Sequence, residues 1–480
     1  MAYRKVNDIS LASVADAIRA KGGTSNTLAF PDGFVTAISE IQAGGGGGAT
    51  PSAKWNDVTF IDYDGTVLYS YSLEEVQSLT ELPTLPTHDG LVCQGWNWTL
   101  ESIKSFNYPV IVGAMYITDD GATRLHIRIT TTGRMTVPLC INQTVSNGVS
   151  IDWGDGSVPN TLDGTGNRSI NHTYSEPGDY VVSLMPEDEC TLSLGPGKPS
   201  LCVMGSNENN SRVYCNMLRD VYIGKNVTSI SAYAFQYCYS LASITIPDGV
   251  TSINIYAFQY CNSLASITIS NSVTSILGYA FSNCNSLASI TIPNSVTSIK
   301  GNAFQNCNSL ASITIPDGVT SIGNSAFQSC SSLASITIPD GVTSIGNTAF
   351  QNCYSLASIA IPNSVTSIRN NAFQNCNSLA SITIPNSVTS IENATFSNCY
   401  SFASITIPDG VTSIGSSAFS NCYGIRYYDF SACTAVPALS NTNTFSNIPS
   451  DCQMLIPSTL YDEWSAATNW ATYASYMVAV

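Results

Sequence analysis

The chain has 480 residues, 44% of them hydrophobic and only 10% charged, and carries a formal net charge of −16. That length has room for three or four domains, and the apolar content excludes a disordered chain. The acidic balance excludes a basic phosphate-binding face, and with it nucleic acid, and it also argues against docking on anionic lipid. No apolar stretch approaches the ~18 residues of a membrane span, so no membrane insertion is expected.

Residues 1–43 read as a helical head. Ser10 is placed to cap a stripe of Leu11, Val14 and Ile18, and Gly22-Gly23 stops the helix. A second short helix after Pro31 carries Phe34, Ile38 and Ile41 on one side. No apolar h-region of a secretory signal is seen. Gly44 to Gly48 open a flexible linker over residues 44–53. The text V-N-D-I-S-L-A-S-V-A-D-A-I-R-A-K-G-G-T-S-N-T-L-A-F-P-D-G-F resembles the N-terminal segment of tail and tail-fibre proteins in phages and prophages of gut Firmicutes. The resemblance implies attachment to other tail or baseplate proteins through residues 1–43, and a location on the virion. Fibres are often homotrimers, although no long heptad run specifies one here.

Residues 54–108 form the next module. Asp64-Gly65 between alternating apolar runs signals a hairpin. Together with H-D-G-L-V-C-Q-G-W-N-W, it resembles a β-grasp repeat of the Listeria–Bacteroides kind. F-I-D-Y-D-G-T-V also resembles the nucleophile motif of haloacid-dehalogenase-type phosphatases, which would make Asp62 the nucleophile and Asp64 the acid/base. That chemistry needs a large parallel sheet, a Lys and a distal acidic pair for magnesium. A module of about 55 residues does not provide them, and Asp119-Asp120 reads as a turn. Trp96 and Trp98 share a face and are expected to be core.

Residues 109–187 read as short strands separated by turns. I-D-W-G-D-G-S from Ile151 and N-H-T-Y-S-E-P-G-D-Y-V-V-S-L to Leu184 resemble a PKD domain, an immunoglobulin-like spacer sandwich. Asp152 and Asp155 are read as turn formers. His172 is read as structural.

Residues 188–437 are dominated by a repeat. Cysteines fall at 238, 261, 284, 307, 330, 353, 376, 399 and 422, every gap being 23. Phenylalanines from Phe235 to Phe419 and isoleucines from Ile230 to Ile414 keep the same beat. The unit V-T-S-I-x-x-x-A-F-x-x-C-x-S-L-A-S-I-T-I-P-[D/N]-[G/S] predicts a solenoid with one short strand per coil. Ile244 and Ile246 should point inward and Ser243 and Thr245 outward. The cysteine column reads as buried, reduced thiols rather than a metal or disulfide system. The unit resembles leucine-rich repeats of the BspA-like type, which occur on surface proteins of gut and oral microbes. Cys215, Leu218, Val221 and Ile223 continue the register backwards, after an irregular lead-in. Ile425, Tyr428 and Phe430 continue it forwards. Residues 438–480 read as a cap with a short helix from Pro457 to Trp470, capped by Ser458, with Leu460, Trp464 and Ala467 on one face.

No phosphate loop, dinucleotide fingerprint or H-E-x-x-H is present. From Val227 to Cys422 only Asp248, Lys300, Asp317, Asp340, Arg369, Glu392 and Asp409 are charged. Such a face offers no acid–base chemistry, so neither catalysis, a cofactor nor a metal is expected. Variation between coils concentrates at the corner after each column isoleucine. It aligns Tyr233 with Tyr256 and Tyr279, and Tyr237 with Tyr260. Aromatic rings with hydroxyl tips suit ligand contact, and these five residues are the candidate binding site.

The chain is therefore expected to be mainly β and multidomain: a helical head, a β-grasp-like module, a PKD-like sandwich and a capped leucine-rich-repeat solenoid. The resemblances imply a tail-fibre-like receptor-binding protein that meets a host-surface glycan or protein. A bacterial cell-surface adhesin is the alternative, and a phosphatase a distant third.

Overall fold

The computed structural model describes residues 58–480 apart from 62–66, 88–90, 97–99, 106–109, 119–120, 131–133, 146–147, 188–189, 199–201 and 206–213. The head, the linker, Asp62, Asp64, Asp119, Asp120 and Trp98 fall outside the described residues. The chain divides into two compact units, Met1–Asp120 and Gly121–Val480.

The first unit holds a four-stranded sheet, from β1 (Val58–Ile61), β2 (Val67–Tyr71), β3 (Leu91–Trp96) and β4 (Val110–Thr118), in the order β2-β1-β4-β3. β1 and β2 pair antiparallel, as the hairpin signal predicts. β1 runs parallel to β4 and β3 antiparallel to it, so among the described residues the sheet contains one parallel pair. β4 lies in the 109–187 range of the sequence reading, yet its pairing joins it to this sheet. Helix α1 (Leu73–Gln77) starts with a capping box: Ser72 Oγ accepts from the Glu75 amide, and the Glu75 carboxylate accepts from the Ser72 amide. Trp96 is core. Its ring packs edge-on to Phe60 at 4.9 Å, and its indole N–H donates to the Pro83 carbonyl.

The second unit begins as a β-sandwich. One sheet has β5 (Thr123–Ile129), β7 (Val149–Asp152), β8 (Asn160–Leu162) and β10 (Gly178–Pro186); the other has β6 (Thr136–Gln143) and β9 (Gly166–Thr173). Trp153 and Tyr174 are buried between them, and the Tyr174 hydroxyl donates to the Trp153 carbonyl. Asp152 and Asp155 accept from the amides of Gly154 and Ser157, the turn-forming role expected of them. His172 stacks on Trp153 with ring centroids 4.7 Å apart and bonds Asp155 at 2.7 Å.

The sandwich does not end where the repeats start. β12 (Leu218–Tyr222) pairs antiparallel with β5 on one side and parallel with Ser243–Ile246 on the other. β11 (Leu192–Leu194) likewise joins β6 to β13 (Val227–Ile230). The sandwich sheets thus continue into the solenoid, one through its first outward strands as far as Ser266–Ile269 and the other along the second strands of the coils as far as Ala438–Leu439. Open strand edges invite pairing with other chains, and here one end of the solenoid is closed by strands of the same chain.

Each coil contributes two strands. Ser243–Ile246 shows the expected alternation, with Ile244 and Ile246 buried and Ser243 and Thr245 exposed. The second strand, such as Ser252–Ile253, pairs in register with its counterpart 23 residues on. Between them the column phenylalanines stack almost parallel, from Phe235 on Phe258 at 5.1 Å to Phe419 on Phe445 at 5.5 Å. The cysteines are buried beside them. From Cys261 to Cys422 each thiol donates to a phenylalanine carbonyl 26 residues earlier, for example Cys307 to Phe281 at 3.1 Å and Cys330 to Phe304 at 3.2 Å.

Cys215 departs from the all-thiol expectation: it is joined to Cys202 in a disulfide. Cys202 lies on the lead-in segment, outside the 23-residue register, and so escapes the parallel arrangement that keeps ladder thiols apart. The C-terminal cap also differs in detail. A 3-10 turn, Ser458–Leu460, precedes the helix Tyr461–Ala466, and no side chain caps either. Ser458 instead donates its amide to the Val480 carbonyl, because strand Met477–Ala479 folds back beside Gln453–Ile456. Trp464 and Trp470 close the core, and the Trp470 indole donates to the Pro437 carbonyl.

Candidate functional site

The corner after each column isoleucine alternates its backbone bonds. The amides of Tyr233, Phe235 and Tyr237 donate forward to the carbonyls of Ile255, Ala257 and Gln259, while those of Ala234, Gln236 and Cys238 bond locally. This alternation requires a left-handed residue at two positions per coil. In the second column that residue is Asn in six of the seven later coils: 283, 306, 352, 375, 398 and 421. Asn tolerates positive φ, and it also ties coil to coil, as when Asn375 donates to Asn352 at 2.7 Å. Bulky side chains there are backbone outliers.

All five predicted site residues occupy these positions. Tyr233, Tyr237, Tyr256, Tyr260 and Tyr279 have φ between 58° and 65°. They form two ladders. Tyr233, Tyr256 and Tyr279 stack at centroid distances of 5.0 and 4.7 Å, and Tyr237 lies on Tyr260 at 5.2 Å. All five are half-buried. Stacking covers the ring faces within each ladder, so a ligand meets edges and hydroxyls. Burial, and then the neighbouring Tyr279 and Tyr233, push the Tyr256 phenol above its ordinary value, so it stays uncharged at neutral pH. The lead-in segment rests on the same coil, with the Val203 amide donating to the Ala234 carbonyl.

Sequence reasoning missed a second aromatic group. Tyr400, Tyr423 and Tyr427, near the C-terminal end, are 44%, 55% and 46% exposed. Tyr400 and Tyr423 stack at 5.6 Å in a column that is otherwise mostly Asn or Ser. Tyr427 stands in register with Ser404 and breaks the outward serine column; that break was the available signal.

Buried thiols supply no chemistry. Burial alone pushes Cys238 up, and burial outweighs the hydrogen bond that favours the thiolate in raising Cys307 to about 12. The sulfurs of Cys202, Cys215 and Cys238 lie within 4.8 Å of one another, but two of them are bonded to each other. Among the described residues no helix is long and apolar enough to cross a membrane.

Coils of about 23 residues, one outward-facing strand each and a phenylalanine spine together define a leucine-rich-repeat solenoid. Residues 208–334 and 320–450 match the BspA type leucine rich repeat region, over half of the chain, and the protein belongs to that family. A leucine rich cell surface protein from Faecalibacterium prausnitzii A2-165 is 30% identical over 54% of this chain and 84% of its own, with a TM-score of 0.34. The T. pallidum leucine rich repeat protein is 27% identical, over 43% and 83%, with a TM-score of 0.31. A leucine-rich repeat protein from Bacteroides ovatus ATCC 8483 is 26% identical, over 50% and 80%, with a TM-score of 0.29. A comparison with curated proteins returns no match.

Proposed function

We propose that this chain is an adhesion protein that binds a cell-surface glycan or protein through its solenoid, presented on a tail-fibre-type head. The observation that carries the reading is the set of five left-handed tyrosines in the first three coils. A left-handed L-residue costs roughly 1–2 kcal/mol, and the later coils lower it with Asn at two of six positions in the first column, 302 and 371, and at six of seven in the second. Outliers of this kind persist where function requires the side chain. The resemblance of residues 1–43 to tail proteins supports a virion location, and the acid-poor, base-poor solenoid supports binding rather than catalysis.

A second reading, a bacterial cell-surface adhesin, is favoured by the family and by the Cys202–Cys215 disulfide, since such bonds persist in oxidising surroundings. Antibodies against the solenoid, applied to purified virions and to cell envelopes, separate the two. Labelling of virion tails supports the first reading. Labelling confined to the envelope of cells without induced phage replaces it with the second.

A further inference from the structure

The outward strands of the solenoid fall into three sheets, parting between Ser266–Ile269 and Ser289–Thr291 and again between Ser381–Thr383 and Ser404–Thr406. Only at the second break does the following coil fill its core differently. Phe402 replaces the leucine of the seven preceding coils, and Thr395 replaces their alanine. Adding bulk to a packed core displaces backbone. A groove opens at this break, with Ser381, Thr383, Ser404 and Thr406 presenting hydroxyls above an apolar floor that includes Ile384 and Ile405.

Tyr427 stands one coil C-terminal to the groove, paired in register with its lining residue Ser404, and Tyr423 precedes it on the same coil with Tyr400 stacked against it. These rings are exposed, unlike the half-buried ladders of the first coils. The charges nearby are already engaged. Arg426 pairs with Asp451 at 2.8 Å, Asp429 accepts from the Ser431 amide at 2.9 Å, and Asp409 accepts from the Thr434 amide and hydroxyl. The patch therefore combines exposed tyrosines, a row of hydroxyls and, at its margin, carboxylates held by neutral donors.

We infer that Tyr400, Tyr423 and Tyr427, with the hydroxyl groove between Ser381 and Thr406, form a binding site for a neutral oligosaccharide. Aromatic faces receive the apolar face of a sugar ring and hydroxyls exchange hydrogen bonds with its rim, while the carboxylates of Asp409 and Asp429 at the margin repel an anionic sugar. The inference rests on the reading of the solenoid as a binding surface, but it assigns a separate site and a ligand class.

Affinity gel electrophoresis of the full chain through laminarin, mannan, galactomannan and polygalacturonate tests it. At least one neutral polysaccharide is expected to retard the protein. The variant Tyr423→Asn/Tyr427→Ser, which restores residues other coils use at these positions, should bind about tenfold or more weakly, as expected for loss of an aromatic anchor. Thermal melting verifies that this variant is folded; should it not fold, the single variant Tyr400→Asn takes its place. Retardation by no neutral polysaccharide, retardation by polygalacturonate alone, or equal retardation of the folded variant overturns the inference. The variant Tyr354→Asn, at an exposed tyrosine outside both groups, should keep the wild-type retardation. If the Tyr233→Asn/Tyr256→Asn/Tyr279→Asn variant loses cell binding while no neutral gel retards the wild type, the adhesion reading stands and this site falls.

Discussion

The ring of Tyr279 lies on that of Tyr256, centroids 4.7 Å apart and planes inclined by 22°, although both residues hold the left-handed backbone that the coil corner imposes. Two opposing terms meet in this pair. The left-handed conformation costs roughly 1–2 kcal/mol per residue, and a stacked aromatic pair returns about 0.5–1.5 kcal/mol beyond burial. The pair carries that cost twice and the stacking return once, so the backbone term exceeds the stacking and folding alone gives little reason for tyrosine. Replacing Tyr233, Tyr256 and Tyr279 together by Asn is expected not to lower the melting temperature, as differential scanning calorimetry would show.

The cysteine column is expected to be silent towards thiol reagents. With Cys307 raised to about 12 by burial, its thiolate fraction at pH 8 is about one in ten thousand, and the side chain is inaccessible as well. Ellman's reagent should leave the ladder unmodified in the native protein and react fully after guanidinium unfolding. Cys330→Ala should cost about 1–2 kcal/mol in chemical denaturation, because it removes both a packed sulfur and the S–H bond to Phe304.

The sandwich closes the solenoid edge through β5 and β12. Leu125 is fully buried opposite Val221 in that pairing. Leu125→Asp buries an unpaired carboxylate and should detach the cap, exposing the edge of β12. Light scattering coupled to size-exclusion chromatography is expected to show self-association of this variant. The conservative Leu125→Val should elute like the wild type.

Asp155 gives an acid-sensitive contact. Burial works to raise its pKa, but hydrogen bonds from Ser157 and His172 outweigh it and hold the carboxyl below the ordinary 3.8. A depressed folded value stabilises the protein above the unfolded pKa, and the contribution fades as pH falls through the folded value. Urea midpoints should therefore drop below pH 4, and Asp155→Asn should flatten that drop while lowering stability at pH 6.

Much of the solenoid was legible because each coil repeats the same local choices. Ile244 and Ile246 alternate with Ser243 and Thr245, and the Phe235 and Cys238 columns recur at a fixed spacing. The tyrosine alignments were legible for the same reason. Their left-handed backbone was not, since it arises from bonds between corners 23 residues apart. Nor was the Cys202–Cys215 bond, which joins a residue outside the register to one within it. The resemblance of residues 109–187 to a PKD domain implies a spacer. Which edge β5 offers to β12 depends on pairing between distant segments, with Val221 set against Leu125 96 residues away. Tyr423 and Tyr427 were passed over because they follow the last intact repeat, where the columns stop guiding the eye.

The central claim is that the left-handed tyrosines are kept for a ligand. Binding of the full-length Tyr233→Asn/Tyr256→Asn/Tyr279→Asn variant to a panel of gut Firmicutes cells, beside wild type, tests it most directly. Wild type should bind at least one strain, and the folded variant should lose about tenfold or more of that affinity. Undiminished binding by the folded variant would contradict the account.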